Sequence, residues 1–200
     1  MRLSSPAAWN RNTHYHDRLL AAIPAGCSRV LDVGCGTGSF ARRLAHVAEH
    51  VDGIDRDREA LANARRVSHD LPNVHFIEAD FLSWQAETTY DAVSMIAVLH
   101  HLPFHAALRK ARTLLRARGV LIVLGLDRSP SLPHLVATGA VATLADLWHN
   151  GIRPTAKLGA PIKEPEMTLR EVRDEAAQLL PGALIRRHAL LRYSLIWRIE

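Results

Sequence analysis

Val30-Leu31-Asp32-Val33-Gly34-Cys35-Gly36-Thr37-Gly38-Ser39-Phe40 is the stretch on which the fold turns. An apolar, β-branched run suited to a strand buried on both faces stops at Gly34, and a helical pattern opens near Gly38. Glycines at alternate positions let the backbone turn sharply and let a ligand approach with no Cβ in the way. The helix start beyond them offers unpaired N–H groups to an anionic or polar ligand. Strand, glycine turn and helix together describe a nucleotide-like site at the switch point of a doubly wound sheet.

The flanking sequence repeats that alternation. Short apolar runs at 29–33, 50–55, 73–77, 91–96 and 119–124 read as parallel strands, with helical patterns over 39–47, 57–67 and 105–116 between them. Strand–helix alternation implies right-handed crossovers and helices on both sheet faces. Upstream, Thr13 to Ile23 reads as a short helix stopped by Pro24 and Gly26. Downstream, residues 127–167 hold Pro130, Pro133, Pro154, Pro161 and Pro165 around an apolar stretch from Leu132 to Trp148. Thr168 and Glu171 form a capping-box pattern opening a helix to about Leu180. Pro181-Gly182 then marks a turn, and 183–188 with 192–199 read as an antiparallel hairpin.

The glycine spacing narrows the ligand. Dinucleotide turns favour G-x-G-x-x-G, whereas Gly34, Gly36 and Gly38 give G-x-G-x-G with Ser39 at the third-glycine place. No lysine follows, so a Walker-type phosphate loop is excluded. An acidic residue, Asp32, precedes the turn. In this the chain resembles the class I S-adenosylmethionine-dependent methyltransferases, small-molecule type, whose first motif is an acid followed by G-x-G-x-G.

The resemblance implies an α/β fold: a Rossmann-like doubly wound seven-stranded sheet, mostly parallel with an antiparallel C-terminal strand. It implies S-adenosyl-L-methionine as cofactor, leaving as S-adenosyl-L-homocysteine, and a set of cofactor-binding residues. Asp32, Gly34, Cys35, Gly36 and Gly38 supply the first motif, Asp55 the ribose-binding acid with Arg56 beside it, and Asp80 with Phe81 the adenine site. Met95 and Ile96, in the fourth strand, are expected beside the cofactor. The Leu99-His100-His101 exit from that strand matches the small-molecule branch, and either histidine is a candidate general base. The N-terminal segment around His14-Tyr15-His16 resembles a cover helix, with Tyr15 a candidate contact at the methionine end. One domain over 1–200 is expected: cover segment 1–27, cofactor core 28–126, acceptor-side insertion 127–167, and closing helix and hairpin 168–200. Leu135, Trp148 and His149 are candidate linings of the acceptor side.

Composition restricts the partners. A net charge of +5 raises the question of nucleic acid. The arginines, however, are scattered in pairs such as Arg42-Arg43 and Arg186-Arg187, with no dense basic run. Neither an Asn/Asp-Pro-Pro-aromatic tetrad nor a Pro-Cys follows the fourth strand, so base methylation is not supported. A small-molecule acceptor is the expected partner; a nucleic-acid methyltransferase and a non-catalytic S-adenosylmethionine-binding protein are the alternatives. An NAD-dependent oxidoreductase lacks both the glycine spacing and a hydride-transfer dyad. Cys27 and Cys35 have no partners at metal-ligand spacing, so no metal is expected. No window is long and apolar enough for a membrane span, and no apolar run follows Met1, so a cytoplasmic protein is expected.

Overall fold

The computed structural model describes residues 12–128, 164–189 and 191–200. Leu135, Trp148 and His149, and most of the expected insertion, lie outside the described residues.

Seven strands form one sheet: β1 (Cys27–Val33), β2 (Ala48–Asp55), β3 (Val74–Glu78), β4 (Tyr90–Ile96), β5 (Leu115–Leu126), β6 (Leu184–His188) and β7 (Arg192–Arg198). Their order is β3-β2-β1-β4-β5-β7-β6. β1 to β5 pair in parallel, while β7 runs antiparallel to both β5 and β6. The order reverses between β1 and β4, which leaves a crevice beyond their carboxyl ends. The seven-stranded sheet with its reversed last strand is as expected from the resemblance.

Helices cover both faces. α1 (His16–Leu20) and α2 (Ala41–Leu44) press Leu19, Ala41 and Leu44 onto one face, against Val30, Ile122 and Leu124. α4 (Phe104–Leu114) and α5 (Leu169–Leu179) press Leu108, Ala111, Val172 and Ala176 onto the other, against Leu31, Val93 and Leu121. Each fully buried leucine contributes about 1.5–3 kcal/mol relative to an exposed one. α3 (Arg58–Val67) starts at Asp57, whose carboxylate accepts the amides of Glu59 and Ala60 at 2.9 and 3.0 Å. α5 opens with the expected capping box, Thr168 and Glu171 each satisfying the other's backbone amide.

Three boundaries differ from expectation. The N-terminal helix splits into a 3-10 turn, Thr13–Tyr15, and the single α turn of α1. α2 stops at Leu44 because β2 begins at Ala48, and the intervening residues tighten into i→i+3 bonds such as Val47 N–H to Leu44 C=O. β5 begins at Leu115, where the periodicity still reads as helix; Arg118, at a φ of 62°, and Gly119 bend the chain into its long central run.

The 3-10 turn Thr13–Tyr15 and α1 meet the β6–β7 hairpin beside the crevice. Tyr15 Oη donates to Ala189 C=O at 2.7 Å, and its ring stacks on His188 at 5.2 Å. Arg18 Nη1 lies 3.3 Å from His188 Nδ1, and Arg192 Nε donates to Asn12 Oδ1 at 3.0 Å. Asn12, Tyr15 and Arg18 are thus held by the hairpin.

Candidate active site

The glycine turn is held from beneath. Gly34 and Cys35 both donate their amides to Ile54 C=O, at 2.8 and 3.1 Å, tying the end of β1 to the end of β2. Gly34 has a φ of +66°, and a Cβ there would lie 2.3 Å from a Val98 methyl carbon. Only glycine satisfies both constraints. Gly36, at +51°, has nothing within 4 Å of where a Cβ would stand. Its open face belongs to a cavity of about 920 Å³ at the carboxyl ends of β1, β2 and β4.

Carboxylates dominate the charged part of the wall. Asp55 Oδ2 accepts the Gly36 amide at 2.7 Å and Oδ1 the Asp57 amide at 2.9 Å. Asp80 Oδ1 accepts the Leu82 amide at 2.8 Å, and its other oxygen stands 3.6 Å from the Arg56 guanidinium. Phe81 is buried beside it, with Lys110 over its ring at 5.4 Å. Asp32, 1% exposed, forms the floor and takes the Ser94 hydroxyl at 2.7 Å from its register partner on β4. Burial pushes the Asp32 carboxyl up to about 7, and the Ser94 hydrogen bond opposes that rise. Asp32, Asp55, Asp57, Glu59 and Asp80 face the space, with Arg56 the one Lys or Arg among the described lining residues. Such a wall repels phosphate and favours a cationic, hydroxyl- and amine-bearing ligand.

The remaining expected residues divide. Ile96 and His101 reach the cavity together with Cys35, whose thiol is held neutral by burial and by the nearby Asp32 and Asp55. Met95 does not; it is fully buried in the core beneath α4 and α5, since neighbours on a strand face opposite sides. Gly38 packs under Phe76, whose ring carbon stands 2.7 Å from where a Cβ would be. His100 stands behind His101, their ring centroids 4.1 Å apart, and off the cavity wall. Tyr15 turns its hydroxyl to Ala189 and away from the cavity.

Its neighbour His16 lines the cavity instead, 2% exposed, with its ring edge on Phe40 at 4.8 Å. Burial, helped by the Arg43 guanidinium and opposed by Asp17, pushes its imidazole down to about 4, so it is neutral at pH 7. Thr37, Ser39, Asn63 and Val98 also line the space and carry no signal in the sequence that marks them out. Among the described residues no group of three or more His, Cys, Asp or Glu side chains is placed to hold a metal ion. None of the described helices is long and apolar enough to cross a membrane.

Residues 30–119 match the methyltransferase domain family. An uncharacterized methyltransferase of Mycobacterium tuberculosis is 34% identical over 203 residues, covering 95% of this chain and 96% of that protein. The chain belongs to the class I S-adenosylmethionine-dependent methyltransferases. This methyltransferase is also 31% identical over 161 residues to the ubiquinone biosynthesis O-methyltransferase of Albidiferax ferrireducens, spanning 75% of the chain and 64% of that enzyme. Its fold matches that of the N-methyltransferase NodS from Bradyrhizobium japonicum WM9, solved with S-adenosyl-L-homocysteine, at a TM-score of 0.63 and 16% identity over 94% of the chain and 86% of NodS.

The cavity of this methyltransferase fits that cofactor on its own terms. Asp55 and Asp80 offer carboxylate acceptors on its wall, and Gly36 leaves room for close approach. The acidic wall suits a ligand carrying a sulfonium and an ammonium.

Proposed function

We propose that this methyltransferase acts on a small-molecule acceptor, with the nucleoside of its cofactor held across the ends of β2 and β3 and the reacting end over β1 and β4. In this reading Asp55 accepts from the ribose hydroxyls and Asp80 from the adenine amine, while Phe81 and the Arg56 stem flank the ring. Charge-assisted hydrogen bonds of this kind contribute roughly 1.5–3 kcal/mol each. Bound there, S-adenosylmethionine supplies a methyl group already activated for in-line displacement.

The protein's task is to align the acceptor and to exclude water. Alignment of two reactants lowers the barrier by up to roughly 7–11 kcal/mol in ideal cases. Val98, His101 and Leu102 frame the acceptor's approach beyond β4. His101 is the residue that takes the acceptor's proton where one must leave, and His100 supports its ring. The observation that carries the reading is the acidic wall, five carboxylates against one guanidinium, which disfavours a polyphosphate cofactor and a nucleic-acid backbone alike. The ubiquinone-pathway relative supports a small acceptor, and the two free thiols, Cys27 and Cys35, support a reducing, cytoplasmic setting.

Calorimetric titration with S-adenosylmethionine, S-adenosylhomocysteine and NAD in parallel tests this. Saturable binding of the first two without NAD is expected. Binding of NAD alone would overturn the assignment of the wall.

A further inference from the structure

The turn that carries Asp80 and Phe81 has no helix behind it. Parallel strands are usually joined through a helix, which pairs the backbone of the crossover with itself. Residues 79–89, between β3 and β4, contain neither helix nor strand. Asp80 organises the first half of this connection. Its Oδ1 accepts the amides of Leu82 and Ser83 at 2.8 and 3.3 Å, and its C=O accepts the Trp84 amide at 2.9 Å. The Leu82 and Trp84 side chains pack against the core beneath α4 and α5.

Those bonds use the amides of the turn and leave its carbonyls to be met from elsewhere. Lys110 meets them. Its Nζ donates to Leu82 C=O at 3.0 Å and to Trp84 C=O, and stands 5.4 Å from the centroid of the Phe81 ring. The Asp80 carboxylate acts on the same ammonium, opposing the fall in its pKa that burial causes. Helix α4 makes this reach possible. Ala107 and Leu114, three residues before and four after Lys110, are buried, so the lysine stem leaves the helix at the margin of its packed face. Hydrogen bonds from a charged donor are stronger than neutral ones, and one ammonium here takes two carbonyls of a single turn. Lys110 is not among the residues lining the cavity, so its effect on a ligand passes through the turn.

We propose that Lys110 is a positioning residue for base recognition: it fixes the 80–84 turn so that the Asp80 carboxylate meets an amine on the base, and thereby sets the preference for adenine. This rests on the assignment of Asp80 and Phe81 to the adenine of the cofactor. Without the ammonium, Leu82 and Trp84 still hold the turn against the core, but its peptide groups are free to rotate and carry Asp80 out of line. The loss then falls on the contact with the amine.

The test compares two ligands that differ only in the base. S-adenosylhomocysteine presents an amine at the six-position, and S-inosylhomocysteine presents a carbonyl there. Dissociation constants for both are measured calorimetrically on the wild type, Lys110→Met, Lys110→Gln and Lys110→Arg, with a thermal melt of each protein. Methionine keeps an unbranched stem without the charge, glutamine keeps a neutral donor, and arginine keeps both charge and donors. The wild type is expected to bind S-adenosylhomocysteine at least about tenfold more tightly than S-inosylhomocysteine. Lys110→Met and Lys110→Gln are expected to cut that ratio at least about threefold by weakening S-adenosylhomocysteine alone, and Lys110→Arg to restore most of it. An unchanged ratio in either folded neutral variant overturns the positioning role. So does an equal loss for both ligands, since a general loosening of the fold acts on both alike. A wild type that binds the two ligands equally overturns the adenine assignment itself, and one that binds neither overturns the cofactor assignment; both are separate results.

Discussion

Asp55 and Gly36 are joined across 19 residues by a 2.7 Å hydrogen bond from the glycine amide to the carboxylate. The acid proposed to hold the ribose therefore also braces the turn over which the cofactor lies. Asp55→Ala removes both functions at once. S-adenosylmethionine affinity is expected to fall by about ten- to a hundredfold, with a stability loss of about 1–3 kcal/mol from the orphaned amides. Calorimetry and chemical denaturation on the same sample separate the two.

Gly34 and Gly36 should respond differently to alanine. At Gly34 the new methyl meets Val98 at 2.3 Å, so overpacking of about 1–3 kcal/mol adds to roughly 1–2 kcal/mol of left-handed strain. At Gly36 nothing is struck, and only the strain remains. Gly36→Ala is expected to fold and to lose cofactor affinity, because its methyl enters the cavity. Denaturant midpoints for the pair, with one titration, check this.

Asp32 gives the folded protein a distinctive response to pH. Its carboxyl is raised by burial to about 7, against an ordinary value near 4. Between those values the unfolded chain has released the proton and the folded chain still holds it, so the Asp32 contribution to stability falls as pH rises through that window and levels off above it. Asp32→Asn should abolish that component. The stability of the variant relative to wild type is expected to climb between pH 4 and 7 and then stay flat, as read from melts across the range.

Tyr15→Phe tests the tie between the 3-10 turn and the hairpin. Loss of the bond to Ala189 should lower stability by about 0.5–1.5 kcal/mol. Affinity for S-adenosylmethionine should change less than about twofold, since the hydroxyl does not face the cavity and the ring can still stack on His188. Calorimetry and a melt suffice.

His101 and His100 make a further contrast. Once an acceptor is found by screening, His101→Gln is expected to lower turnover by about 10²–10⁴-fold at saturating cofactor, without changing cofactor affinity. His100→Gln should have the smaller effect. Equal turnover in all three proteins would assign the pair to packing.

Much of this was legible in the chain, and the exceptions share a cause. The strand ends that bring Asp55 and Asp80 to the cavity could be placed because an apolar run stops there, and the acid before G-x-G-x-G carried the resemblance that implied the cofactor. Facing was harder. Tyr15 and His16 are adjacent, at the junction of a 3-10 turn and a helix, and one residue of phase decides which meets the cavity. Met95 and Ile96 differ in the same way, one in the core and one on the wall. A single sequence carries the period of an element far better than its phase. The Asp32–Ser94 pair depends on a register between strands 62 residues apart, which no local pattern encodes.

The contact between Tyr15 and Ala189 closes a loop of 174 residues. Closure over that distance is entropically dear and kinetically late. During synthesis the glycine turn and both strand-end acids leave the ribosome well before the hairpin that fixes His16 in place, at about 5–20 residues per second. A nascent chain halted before Ser194 would thus hold a nucleoside cradle with one side still unfastened. The α1 side of the cavity wall is therefore secured after the nucleoside side has formed.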